Sequence, residues 1–203
     1  MEIELEKRRI EELDILKGIG IVLMVLDHCM AWGEGVFIHS LIQSFHMPLF
    51  FFSSGFLLKK RSLKETIKSK TGTVLLPHFY FATFYACVFI LFFLLGKGGG
   101  AETLKSVGSL YFFSTESEFT VFASPIWFLQ ALFIVEILFS IINSRFQSFD
   151  FLIIAAIGVI GITWSRSTRF TLPFAIEPAL TGIVFFYAGY KIRYYLKMHM
   201  CKN

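Results

Sequence analysis

The chain has 203 residues, of which 55% are hydrophobic, 26 are phenylalanine and only 17% are charged, for a mean hydropathy of +0.66. A soluble domain carries about a quarter charged residues and far less Phe, so a water-soluble globular fold is excluded. The formal charge of +4 comes from basic residues that flank apolar runs instead of forming one patch, so no nucleic-acid partner is indicated.

The apolar runs approach the length of a bilayer crossing. They predict an all-α, polytopic transmembrane helical bundle of about six spans, at roughly 13–31, 43–58, 74–96, 126–143, 151–164 and 174–190. Charged residues precede the first span, and no small-residue cleavage site follows it, so no cleavable signal peptide is expected. That span holds Asp14, Lys17 and His28. Eleven residues at ~100° each bring His28 within about 20° of Lys17 around the helix, some 16 Å further along it. Asp14 lies within about 60° of Lys17. The three form a polar seam expected to face inward, and ionisable groups at membrane depth are functional by default. Blander readings stand beside this one: Lys17 can snorkel to the headgroups, and Asp14 can serve the helix N-terminus. Asp27 points about 100° from His28 and makes a poor orienting partner within the helix.

The second span brings His46, either an interfacial packing residue or a group with a chemical role, and Ser53-Ser54-Gly55, a small triplet suited to close helix packing. A basic loop from Lys59 to Lys70 follows, then the third span. The long loop from Lys97 to Pro125, opening on Gly98-Gly99-Gly100, reads as a lid or a connector. Trp127, Phe128, Leu129 and Gln130 open the fourth span, where Trp127 suits an aromatic belt or a substrate wall. Glu136, mid-span, is expected to face the bundle interior. The fifth span, Phe151 to Trp164, is short and reads as tilted or re-entrant. Pro48, Pro77, Pro125 and Pro173 fall near span starts, and Pro178 reads as a kink or a delayed start. Cys29, Cys87 and Cys201 lack CxxC spacing, so neither a disulfide framework nor a metal site is expected.

Lysine and arginine set the orientation. With the N-terminus inside, fourteen basic residues lie on the cytoplasmic side: Lys7, Arg8, Arg9, six in Lys59–Lys70, Arg145, Lys191, Arg193, Lys197 and Lys202. Four lie outside: Lys97, Lys105, Arg166 and Arg169. The imbalance favours N-in and C-in. His28, His46, Trp127 and Gln130 then approach the outer half of the membrane, while Lys59-Lys60-Arg61 stands at the cytoplasmic mouth. A phosphate-bearing donor suits the basic face, and an imidazole near neutrality suits general-base work on a hydroxyl. Six helices with intramembrane charge also fit a transporter, but no inverted repeat or pair of broken helices is visible.

Four segments carry a family resemblance. The run Glu12-Leu13-Asp14-Ile15-Leu16-Lys17-Gly18-Ile19-Gly20, ending at His28, resembles the opening helix of membrane-bound acyltransferase family 3, where a basic residue, ten others and a histidine recur. Ser44-Phe45-His46-Met47-Pro48-Leu49-Phe50-Phe51-Phe52-Ser53-Ser54-Gly55-Phe56 resembles its second signature. Ile126-Trp127-Phe128-Leu129 and Phe185-Phe186-Tyr187-Ala188-Gly189-Tyr190 resemble two later ones. The flavour is that of sugar O-acetylases similar to fucose 4-O-acetylase. The resemblance implies an O-acyltransferase in the inner (cytoplasmic) membrane, with acetyl-CoA or another acyl-CoA as donor, a cell-envelope carbohydrate hydroxyl as acceptor and no metal. It implies His28 as the catalytic histidine, Lys17 at the usual arginine position, His46 in support, and Asp14 and Trp127 as supporting or substrate-binding residues. Lysine replaces a bidentate fork with a point charge. The family usually runs to about ten spans, so residues 1–203 read as a single domain matching its N-terminal part, apparently truncated at the C-terminus. A truncated, inactive relative acting as an assembly partner, or half of a split enzyme completed by another membrane subunit, is the alternative.

Overall fold

The computed structural model describes residues 11–29, 37–59, 61–112, 126–167 and 172–200, and these are mostly helical, with no strand among them. In chain order the α-helices are α1 Glu11–Cys29, α2 Phe37–Phe56, α3 Leu63–Lys70, α4 Leu76–Leu94, α5 Gly100–Phe112, α6 Trp127–Arg145, α7 Asp150–Ser167 and α8 Ile176–Met200. Lys7, Arg8, Arg9, Lys60, Glu116, Glu118, Pro125, Arg169, Cys201, Lys202 and the end of the first expected span at residues 30–31 lie outside the described residues.

Two compact units emerge, residues 1–58 with 185–203, and residues 59–184. In the first, α1 presents Leu13, Gly20 and Asp27, all buried, at seven-residue spacing. That repeat keeps one stripe facing a neighbour over the whole helix. The neighbour is α2: a Cβ on Gly20 would lie 2.9 Å from Leu49 Cδ2 and 3.1 Å from Phe50 Cζ. The opposite side of α1, with Ile15, Ile19, Val22 and Val25, is exposed, as suits lipid. Helix α2 buries Ile42, His46, Leu49 and Ser53 along one stripe.

The contact of α2 with the second half of α8 is closer still. A Cβ on Gly55 would fall on the Phe186 carbonyl oxygen, and one on Gly189 would fall on the Phe52 carbonyl oxygen. Packing in lipid has no hydrophobic drive between helices, so backbones that touch through glycine supply the attraction. Arg193 closes the joint by donating from Nη1 to the carbonyls of Phe56 (3.0 Å) and Leu58 (2.8 Å). A cation there satisfies carbonyls that the end of α2 leaves open, and it complements the helix dipole.

In the second unit the greater part of the expected Lys59–Lys70 loop, Leu63–Lys70, is instead the short helix α3. Ser62 and Glu65 form a reciprocal capping box that starts it. From α3 the chain passes through a π-helical turn, Thr71–Leu75, into α4 without a break in helicity. Pro77, at the start of α4, has no N–H to offer the preceding turn, and the ladder widens just there. Helix α5 occupies part of the expected Lys97–Pro125 loop. It packs on α4 through Ala82, Ala86 and Leu110, joined by Ile126, and Tyr111 Oη lies 2.9 Å from Thr83 Oγ1. Helix α7 crosses the start of α8 through two more glycines: a Cβ on Gly158 would meet Val184 Cγ2 at 2.5 Å, and one on Gly161 would meet Leu180 Cβ at 2.8 Å. Phe174 and Ala175, just before α8, hold φ of 58° and 53°. That left-handed region costs an L-residue about 1–2 kcal/mol, and the burial of Ala175 with the edge-on packing of Phe174 on Phe112 holds it.

Among the described residues, three stretches are long and apolar enough to cross a membrane: Leu63–Leu94, Trp127–Arg145 and Gln147–Ser167. Six were expected, and the shortfall has a physical cause. Helix α1 carries Glu11, Glu12, Asp14, Lys17 and Asp27, α2 carries Gln43, His46 and several serines, and α8 carries Glu177, Lys191 and Arg193. The prolines also differ from expectation. Pro48 lies inside α2, and Pro178 sits in the first turn of α8, where its missing N–H costs little; that helix starts at Ile176, two residues after the expected 174.

Candidate active site

Helices α1 and α2 carry the first set of candidate residues. Only seven residues separate Cys29 from Phe37, and Gly20 lies against Leu49 and Phe50, so the two run antiparallel. Counting from that contact at 1.5 Å per residue puts His28 and His46 at levels about 8 Å apart along the helices. On the described residues, then, the two histidines belong to the same end of one helix pair.

Their surroundings differ. His46 is buried, and its Nδ1 stands 2.7 Å from the Ile42 carbonyl. A carbonyl can only accept, so Nδ1 carries the proton and a neutral ring keeps its basic lone pair on Nε2. His28 is exposed in the last turn of α1, whereas Asp27 is buried. This corrects the expected seam: Asp27, not His28, continues the packed stripe from Leu13 and Gly20. His28, about 100° from Asp27 around the helix, turns away from that stripe at the helix end. Lys17 and Asp14 are half-buried at the edge of the stripe. Ser53 Oγ donates to the Leu49 carbonyl at 2.7 Å, which leaves that hydroxyl in a packing role.

The second unit holds Trp127 and Gln130. Trp127 is half-buried at the start of α6, its ring edge-on to Phe128 with centroids 6.3 Å apart. Gln130 is 1% exposed and is tied into a network that the sequence reading missed. His78, fully buried on α4, donates from Nδ1 to the Ile126 carbonyl at 3.1 Å. Gln130 Nε2 then donates to His78 Nε2 (2.9 Å) and to the Tyr111 carbonyl (2.8 Å). Three helices are thereby joined at the N-terminal end of α6, and the position of Trp127 follows from that joint. A polar His beside Pro77 in an apolar run was the available signal. Gln130→Leu removes the donor for two buried acceptors and is expected to cost about 1–3 kcal/mol, read as an earlier thermal melt in detergent; an unchanged melt would mean the network bears no load.

A second missed feature is an ion pair. Lys70 Nζ lies 2.8 Å from Glu136 Oε1, joining the end of α3 to the middle of α6. Glu136 is 1% exposed, as expected of an inward-facing acid, but nothing in the spacing named its partner 66 residues away.

A family model described as an acyltransferase domain matches residues 10–200. No curated protein and no solved structure matches the chain. The matched region contains all four signature segments, Lys17 through His28 on α1, the His46-to-Gly55 stretch on α2, Trp127 on α6 and Gly189 on α8, and the chain belongs to acyltransferase family 3.

Proposed function

We propose that this acyltransferase is an O-acyltransferase of the inner (cytoplasmic) membrane, which moves an acyl group, acetyl first among them, from acyl-CoA to a hydroxyl of a cell-envelope carbohydrate. The observation that carries the reading is the Lys17–His28 spacing on α1, inside an acyltransferase match that spans nearly the whole chain. In this reading the chain crosses the bilayer six times with both termini inside, on the strength of its basic-residue count. The half-polar helices α1, α2 and α8 then count as spans in addition to the apolar Leu63–Leu94, Trp127–Arg145 and Gln147–Ser167.

His28 is the general base. Its exposure leaves the ring open to a reactant, which a packed stripe position would not. The imidazole takes the proton of the acceptor hydroxyl as the oxygen attacks the thioester carbonyl; the carbon–sulfur bond breaks, and the coenzyme A thiolate leaves to be reprotonated. His46, with Nδ1 tied to Ile42, supports the same end of the helix pair. Lys17 offers a cation for the donor, and Asp14 sits one turn before it. Trp127 serves in this reading as a substrate-contacting residue. The specificity resembles that of fucose 4-O-acetylase-type enzymes.

The reading is tested by deleting the gene and measuring alkali-released acetate from envelope glycans. Ester is expected to fall on deletion, to return with the wild-type gene, and to stay absent with His28→Ala. Full restoration by His28→Ala would remove His28 from the chemistry; an ester level untouched by deletion would remove the carbohydrate acceptor.

A further inference from the structure

The Lys70–Glu136 pair is only half used. Glu136 sits in the middle of an apolar 19-residue helix and is 1% exposed, yet only Oε1 has a partner. Oε2 is buried without a hydrogen-bond partner among the described residues. Buried carboxylate oxygens are normally satisfied, so one that is not marks a place where something else belongs. Lys70 is the more open partner. Its side chain is 25% exposed, and one ammonium hydrogen goes to Oε1, which leaves two further donors. Arg61, whose Nη1 donates to Ser69 one residue before Lys70, adds a second positive charge on this side of the pair.

A group seated against both must accept from Lys70 Nζ and donate to Glu136 Oε2. A carbonyl or a phosphate would satisfy the lysine but set lone pairs against Oε2. An ammonium would satisfy Oε2 and meet the lysine charge head-on. A hydroxyl does both with one oxygen. We propose that Lys70 and Glu136 form a binding site for a substrate hydroxyl, whose oxygen accepts from Lys70 Nζ and whose hydrogen goes to Glu136 Oε2. The site rests on the O-acyltransferase reading, in which two hydroxyls are at hand: a second, non-reacting hydroxyl of the carbohydrate acceptor, and that on the pantetheine arm of the acyl-CoA donor.

Two variants test it, in membranes carrying the full chain, with [14C]acetyl-CoA titrated against endogenous envelope glycan. Glu136→Gln keeps an oxygen for Lys70 and places an amide donor where Oε2 accepted. The double variant Lys70→Met with Glu136→Leu replaces the pair by apolar groups of similar volume; gel filtration in detergent reports its fold. Both are expected to lose at least tenfold in transfer. A tenfold rise in KM for acetyl-CoA assigns the pantetheine hydroxyl, and a fall in maximal rate at unchanged KM assigns the acceptor hydroxyl. Wild-type rate and KM in a folded double variant would overturn the site, leaving a structural pair or bound water only. Should the double variant fail to fold, unchanged kinetics in Glu136→Gln would overturn it equally. A wild-type chain that transfers nothing would instead overturn the acyltransferase reading, and the hydroxyl assignment with it.

Discussion

Gly55→Ala and Gly189→Ala are each expected to break the joint between α2 and α8, lowering stability by about 3 kcal/mol or more. Overpacking usually costs less because a flexible side chain can yield. Here the atoms in the way are the carbonyl oxygens of Phe186 and Phe52, and a backbone carbonyl in a helix cannot step aside without breaking its own hydrogen bond. The helices must separate, and the bonds from Arg193 to the carbonyls of Phe56 and Leu58 separate with them. Gly18→Ala supplies the control. Nothing lies within 4 Å of a Cβ there, so the change is expected to be neutral or to stabilise α1 by up to about 1 kcal/mol, the propensity difference between glycine and alanine. Thermal melts of the three variants in one detergent check the contrast. Equal melts for Gly55→Ala and Gly18→Ala would mean that α2 and α8 do not touch as described.

The second large effect is an asymmetry within the Lys70–Glu136 pair. Lys70→Met leaves a carboxylate buried at 1% exposure with no cation on Oε1, and about 3–5 kcal/mol is the expected loss for stranding such a charge. Glu136→Leu strands only Lys70, whose side chain is a quarter exposed and can swing its ammonium toward a polar phase. That change is expected to cost about 1 kcal/mol at most, the scale of an exposed pair. Melting temperatures of the two single variants read the difference directly. A larger loss for Glu136→Leu than for Lys70→Met would show that the carboxylate is not the trapped partner.

Much of the fold is legible in the sequence, and what is not has specific causes. Helix α6 was expected at 126–143 and runs Trp127–Arg145, because an apolar run with few breakers admits one reading. The six basic residues of Lys59–Lys70 make the segment that holds α3 look like a loop, although Ser62 and Glu65 spell out a capping box three residues apart. Positive charge near a span obeys the membrane, but says nothing against a helix. The inward face of α1 was misjudged by about one residue. Lys17 and His28 define one stripe, and Leu13, Gly20 and Asp27 define another only some tens of degrees away. Helical periodicity measures angles between residues but has no origin; the α2 contact at Gly20 supplies one. The contacts of His78 with Gln130 and of Lys70 with Glu136 join residues 52 and 66 apart in sequence. No local pattern encodes such pairs; only the polar residues set in apolar runs point to them.

The signature glycines gain a physical meaning from the same geometry. Gly55 is next to last in the second signature and Gly189 in the fourth, and each takes the other helix's backbone at van der Waals range. Two of the motifs by which the family resembles itself are therefore one packing joint, placed in the unit that also holds Lys17, His28 and His46.

The central claim is that this chain transfers acyl groups through His28. Purified full-length protein, reconstituted with envelope glycan and [14C]acetyl-CoA, tests it most directly. Alkali-labile label is expected on the glycan with the wild-type chain and at no more than about a hundredth of that level with His28→Ala, the scale of losing a general base. Equal label from both proteins would contradict the account.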